Sequence, residues 1–291
     1  MSKYYCLIAG LPDVSLDDTK LTYSVSEFKE ELDSALSKRD SKLVRWIFLK
    51  YDNANLLSYL RNASVGEFDS RGVFSEEDIK YICDLVKDEQ KVPKAMSVPA
   101  YFVEFIKEYY ARLEDSEVKE HHILWEDRLS SLYYNEAIAC KNSFLSSWFE
   151  LNLNIGNVMT AQNCREYGLD KEAYIVGDNR VAKKLRRPNA RDFGIDDSFE
   201  YIAELMQIAE DKDFFMRERR LDALRWNWLE ETILYKTFDI VSVVAYLLRL
   251  GMIERWVGLN KVSGEKTFRS LVVNMKRGSS EALDKFKENN K

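Results

Sequence analysis

Few residues in this chain are of the types that do chemistry, and they are scattered. The only histidines are His121 and His122, adjacent in the sequence. Successive positions on a helix point about 100° apart, so such a pair shares a metal poorly, and no second His or Cys cluster completes a site. A nucleophilic triad needs a base held by a third group, and Glu120 beside the pair does not supply that arrangement. No GxxxxGK(S/T) or GxGxxG run offers backbone N–H groups to a phosphate. The four cysteines, Cys6, Cys83, Cys140 and Cys164, form no CxxC pair. They read as free thiols of a reducing compartment rather than a disulfide frame or zinc site. The expectation is a protein without catalytic residues, cofactor or metal.

Two charged patterns remain. Asp196-Asp197-Ser-Phe-Glu200 resembles, in outline, the magnesium-diphosphate motif DDxxD/E of the all-helical isoprenoid synthases. That chemistry needs a second acidic motif facing the first, and none is found. A capping box with Asp197 at N-cap and Glu200 at N3 explains the same residues. The cation cluster Arg180, Lys183, Lys184, Arg186, Arg187 and Arg191 has only Asp178 and Asp192 as near acids. It suits docking onto an acidic partner or anionic lipid heads, or it is a solvated loop. Nucleic acid is disfavoured by the net charge of −6 and by the lack of aromatics interleaved with the cations.

The elements that must position these residues are helices. Gly and Pro number 11 and 4 in 291 residues, where ordinary usage gives about 35. Their scarcity argues for long helices and few hairpins. The apolar fraction of 46% provides a core and the charged fraction of 32% a solvated surface. The 3.6 period predicts helices over 24–38, 41–50, from 52, 75–88, 98–113, 120–149, 197–208, 214–234, 239–250 and from 267. Segments 62–74 and 174–194 read as irregular, the second as a cationic loop over 176–194. The aromatics Trp226, Trp228, Tyr235, Phe238 and Tyr246 read as core. The longest nearly apolar run, 239–253, is shorter than the ~20 residues a bilayer needs, and Arg249 lies inside it. A soluble chain without a signal peptide is expected.

A weak internal repeat runs through these helices. Asp52-Asn-Ala-Asn55, Asn154-Ile-Gly-Asn157 and Asp239-Ile-Val-Ser242 each place a short oxygen-bearing side chain three residues before another. Apolar residues and an arginine follow each, and Trp46/Phe48, Trp148/Phe149 and Tyr235/Phe238 precede them. The physical reading of each copy is a helix start, with the side chain at N-cap accepting from N2 or N3. The copies divide the chain into three helical modules, 1–97, 98–196 and 197–291. Their spacing fits no TPR, ankyrin or HEAT period.

These residues resemble the C/d family of V/A-type (vacuolar/archaeal-type) rotary ATPase subunits, lettered d in the eukaryotic complexes. The resemblance rests on the three motif starts, on Ala245-Tyr-Leu-Leu-Arg249 with Glu254, and on Gly264-Glu-Lys-Thr-Phe-Arg269. The Tyr4-Tyr5 opening is similar to that of a divergent bacterial branch. Departures are Asn154 where aspartate is usual, and segments 62–98 and 174–194, which match nothing in the family. The resemblance implies an all-α, funnel-shaped fold of three similar modules. It also implies a non-catalytic, peripheral role on the cytoplasmic face of the membrane. There the protein would join the central-stalk components D and F to the proteolipid ring during ion translocation, with no nucleic-acid partner. A free-standing helical adaptor with the same fold is the alternative; a magnesium-dependent isoprenoid-type enzyme is a further one.

Overall fold

The computed structural model describes residues 4–61, 68–114, 124–187, 193–236 and 238–259. Among the described residues there are twelve α-helices and two 3-10 turns, and no strand. The fold is all-α. In chain order the helices are α1 (Tyr5–Ala9), α2 (Val25–Ala35), α3 (Lys38–Leu60), α4 (Glu76–Lys87), α5 (Ala100–Glu114) and α6 (Trp125–Ile138). Then follow α7 (Ser143–Tyr167), α8 (Lys171–Tyr174), α9 (Arg180–Leu185), α10 (Ile202–Ala209), α11 (Phe214–Ile233) and α12 (Ile240–Gly258). None of them is long and apolar enough to cross a membrane.

The chain packs as two compact units. One is Leu36–Arg225; the other combines the residues up to Ala35 with those from Trp226 onward, so the division falls inside α11.

In the larger unit, α5, α6 and α7 pack in succession, with α3 against α4 and α6. Aromatic side chains at helical spacing make this core. The Tyr133 ring on α6 lies 6.3 Å from Trp46 on α3, 5.6 Å from Tyr101 on α5 and 5.6 Å from Phe149 on α7. Its hydroxyl donates to the Trp46 carbonyl at 2.8 Å, which settles the polar end of a buried ring. Phe102, Phe105 and Ile106 of α5 are wholly buried.

The smaller unit packs α12 on α2. Phe28 of α2 meets Tyr246 of α12 edge-on at 5.2 Å, and the Val25 N–H donates to Glu254 at 3.3 Å. The Arg249 guanidinium lies 5.0 Å over the Trp226 ring and 3.6 Å from Glu230. Arg249 and Tyr246 therefore belong to this packed face.

Local capping chemistry sets several helix ends. Ser75 and Asp78 form a reciprocal capping box at the start of α4, with 3.1 Å and 3.0 Å bonds. Gly168 ends α7 in the left-handed region at φ 67°. The expected single helix over 120–149 is instead two helices in its described part. The chain breaks after Ile138, and the Asn142 side chain caps α7 by accepting from Leu145 N at 3.0 Å. The opposite correction applies upstream. The stretches 41–50 and from 52 are one continuous helix, α3. The cationic segment 176–194 is not a plain loop, since α9 occupies its middle. The helix expected from 267 and the Gly264–Arg269 motif lie outside the described residues.

Candidate functional site

The first repeat motif lies in the interior of α3, so Asp52 and Asn55 are not helix caps. Their side chains reach sideways and hold the segment that follows the helix. The Asp52 carboxylate is fully buried and accepts from Val73 N at 2.8 Å and Phe74 N at 2.9 Å. The Asn55 amide donates to the Asp69 carbonyl and accepts from the Asp69 N–H, both at 3.0 Å. Gly72 passes so close that a Cβ there would sit 2.5 Å from Asp52 Oδ1.

The second motif does the same from the interior of α7, so Asn154 and Asn157 are not caps either. The Asn157 amide donates to the Val176 carbonyl at 2.7 Å and accepts from Val176 N at 2.9 Å. Asn154 Oδ1 accepts from the Asn179 side chain at 2.8 Å. Asn179 in turn caps α9, its own Oδ1 taking the Ala182 N–H at 2.9 Å. The same Asn179 amide also donates to Glu150 at 3.3 Å, so an aspartate at 154 would set two carboxylates on one neutral donor, where Asp52 meets two backbone N–H groups. Gly177, at φ 76°, packs with its Cβ position 2.9 Å from Leu153 and donates to Ser131 at 3.2 Å.

The third copy, in the other unit, is a helix start. Asp239 is the N-cap of α12 and accepts from Val241 N at 2.9 Å and Ser242 N at 3.1 Å. The Ser242 hydroxyl donates to the Lys236 carbonyl at 2.7 Å.

The cation cluster divides in two. Arg186 is half-buried and donates to the Ile175 carbonyl at 2.9 Å and the Gly177 carbonyl at 2.6 Å, with Asp178 at 3.5 Å. Lys184 donates to Gly194 O at 3.1 Å and Ser198 Oγ at 2.8 Å. These two hold the fold together locally. Arg180, Lys183 and Arg187 are exposed on α9 and just beyond its end. Arg191 lies outside the described residues.

A cavity of about 350 Å³ opens between α6, α7 and the segment clamped by Asn157. Its lining includes Asp127, Ser130 and Tyr134 from α6, Asn152, Gly156, Asn157 and Thr160 from α7, and Tyr174 and Val176 beyond. On α6 the lining residues stand at i, i+3 and i+7, one face of a helix. Burial, with the Glu126 charge beside it, raises the Asp127 carboxyl from its ordinary value. At the cavity edge Arg225 is neutralised by buried Asp222 at 2.9 Å and donates to Asn152 at 2.8 Å. The polar face Asp127-x-x-Ser130-Ser131-x-x-Tyr134 is visible in the sequence, but the segment at 174–176 that closes the cavity over it is not.

His121 and His122 lie outside the described residues. Asp196 and Asp197 belong to a 3-10 turn, and α10 begins only at Ile202 after Tyr201, so Asp197 and Glu200 form no capping box for it. Asp197 and Glu200 are exposed. Among the described residues no three His, Cys, Asp or Glu side chains converge as a metal site.

An all-α protein with paired side-chain clamps inside its helices is the class this geometry defines. The model of the family described as "Protein of unknown function (DUF2764)" matches residues 1–279. The chain belongs to that family. No curated protein matches the chain, and no solved structure matches it.

Proposed function

We propose that this protein is a non-catalytic coupling component of a V/A-type rotary ATPase, bound between the central stalk and the membrane proteolipid ring on the cytoplasmic face. The observation that carries the reading is the repeated module. In α3 and again in α7, a D/N-x-x-N motif grips the backbone of the segment that follows through an asparagine making two bonds to one residue. The resemblance to the C/d family rests on the sequence of these motifs, read as helix starts; two of the three copies act instead as clamps from helix interiors, and only Asp239 starts a helix. The exposed cations Arg180, Lys183 and Arg187 offer a docking surface to an acidic partner. Membrane association would come through the assembly.

The test is co-purification from gently solubilised membranes with the protein tagged at its C-terminus. Recovery of the catalytic, stalk and proteolipid components of the ATPase in fixed ratio supports the coupling role. Recovery from the soluble fraction alone, or with unrelated partners, replaces it with the free-standing adaptor. Magnesium-dependent release of diphosphate that Asp196→Ala abolishes would instead establish the isoprenoid-type enzyme.

A further inference from the structure

We propose that the cavity between α6 and α7 receives one cationic group, a guanidinium or a primary ammonium, carried either by a small molecule or by an arginine or lysine side chain of a partner. The inference does not depend on the coupling role. Its volume of about 350 Å³ falls within the roughly 300–1,000 Å³ of ligand pockets. Among the described residues, Asp127 is the only charged one in its lining. Among the same residues no hydrogen bond or ion pair reaches that carboxylate, although its side chain is half-buried. Its place in the first turn of α6 offsets part of the cost of partial desolvation, and a cation in the cavity would offset more of it.

Among the described residues, the cations beside the cavity are committed elsewhere. Arg128, next to Asp127, makes a two-pronged contact with Glu108. Arg225 is held by Asp222 and Asn152. The hydroxyl-bearing residues Ser130, Tyr134, Thr160 and Tyr174 also line the cavity. They provide acceptors for the several N–H donors of such a group.

Gly156 stands on the exposed rim of the cavity. It lies in the middle of α7, where glycine destabilises a helix by about 1 kcal/mol relative to alanine. A Cβ there would meet nothing within 4 Å, so the fold itself does not require the glycine. The equivalent place in the first motif is Ala54. A large side chain at this position would project into the space beside the cavity, which makes it a place to block entry.

The experiment measures binding to the full chain by calorimetry and by the shift in melting temperature. The probes are arginine amide, butane-1,4-diamine, the peptide acetyl-Gly-Gly-Arg-Gly-Gly-amide and its citrulline counterpart. Binding of a cationic probe at least tenfold tighter than citrulline peptide is expected, with a loss of at least tenfold in both Asp127→Asn and Gly156→Leu. Far-UV circular dichroism and melting of each variant without probe establish that it is folded, and Asp127→Glu should restore part of the binding. Binding of the free amines but not the arginine peptide identifies a small-molecule ligand; binding of the peptide identifies a partner side chain. Equal binding of arginine and citrulline peptides, no binding of any cationic probe, or unchanged affinity in the folded Asp127→Asn protein overturns the proposal.

Discussion

Asn157 and Val176 are joined by two hydrogen bonds, 2.7 Å and 2.9 Å, in which one side-chain amide answers both backbone groups of one residue. Asn55 and Asp69 repeat the pairing at 3.0 Å and 3.0 Å. The amide carries its donor and acceptor side by side in one plane, matched to the N–H and carbonyl of a single residue. Removing it strands a backbone N–H and a carbonyl together. Asn157→Ala and Asn55→Ala should each lower stability by about 2–4 kcal/mol. Urea denaturation measures this, and a loss below about 0.5 kcal/mol would show that water replaces the clamp.

Two glycines should respond to alanine with opposite signs. Gly72→Ala drives a Cβ to 2.5 Å from the buried Asp52 carboxylate, and a destabilisation of about 1–3 kcal/mol is expected. Gly156→Ala meets open space and gains up to ~1 kcal/mol of helix propensity. Thermal melts of the two variants beside the parent decide the matter; a common sign would contradict the packing described for one of them.

The cation cluster should separate into two phenotypes. Arg186→Ala leaves the Ile175 and Gly177 carbonyls without their donor and should cost about 1–3 kcal/mol. Changing Arg180, Lys183 and Arg187 together to alanine should leave stability within about 0.5 kcal/mol per site, while weakening assembly in the co-purification experiment. If the triple variant unfolds, those side chains are structural and the docking reading of that surface is wrong.

Buried ionisable groups give the protein an alkaline limit. Burial, helped by the Asp84 charge, pushes the Cys83 thiol up to about 12, and burial also raises the Tyr101 and Tyr133 hydroxyls. The unfolded chain loses the Cys83 proton near the ordinary 9.0, while the folded chain keeps it. Stability is therefore full below that value and falls as pH rises from 9.0 toward about 12. Thiol labelling at pH 8 should modify exposed Cys6 quickly and Cys83 only in denaturant, because the thiolate is the reactive form. Fast native labelling of Cys83 would show that α4 opens readily.

How far the sequence carried the structure can be traced through single residues. The scarcity of Gly and Pro announced helices, and the 3.6 period located most of them. The repeated D/N-x-x-N motif was legible too, but its job was not. Asp and Asn with oxygen atoms close to the backbone favour N-caps when only local chemistry is weighed. Here their partners, Asp69, Val73 and Val176, lie 14 to 21 residues downstream, and no local pattern encodes that distance. Asp239, whose partners are two and three residues away, is a cap. The break after Ile138 lacks Gly and Pro, and Asn142 was its only local marker. The inward turn of Arg186 depends on carbonyls of a segment that must already be folded, so charge counting grouped it with its exposed neighbours.

The clamps also govern which parts of the chain meet solvent chemistry over time. The amide protons of Asp69, Val73, Phe74 and Val176 belong to non-helical segments, yet each is held by a buried side chain on α3 or α7. Exchange with deuterium, or entry of a protease, at these points requires the side-chain bond to break first. Connections that look like hinges in a helical protein are here tied to helix interiors, and slowed deuterium exchange at these four amides is the expected signature.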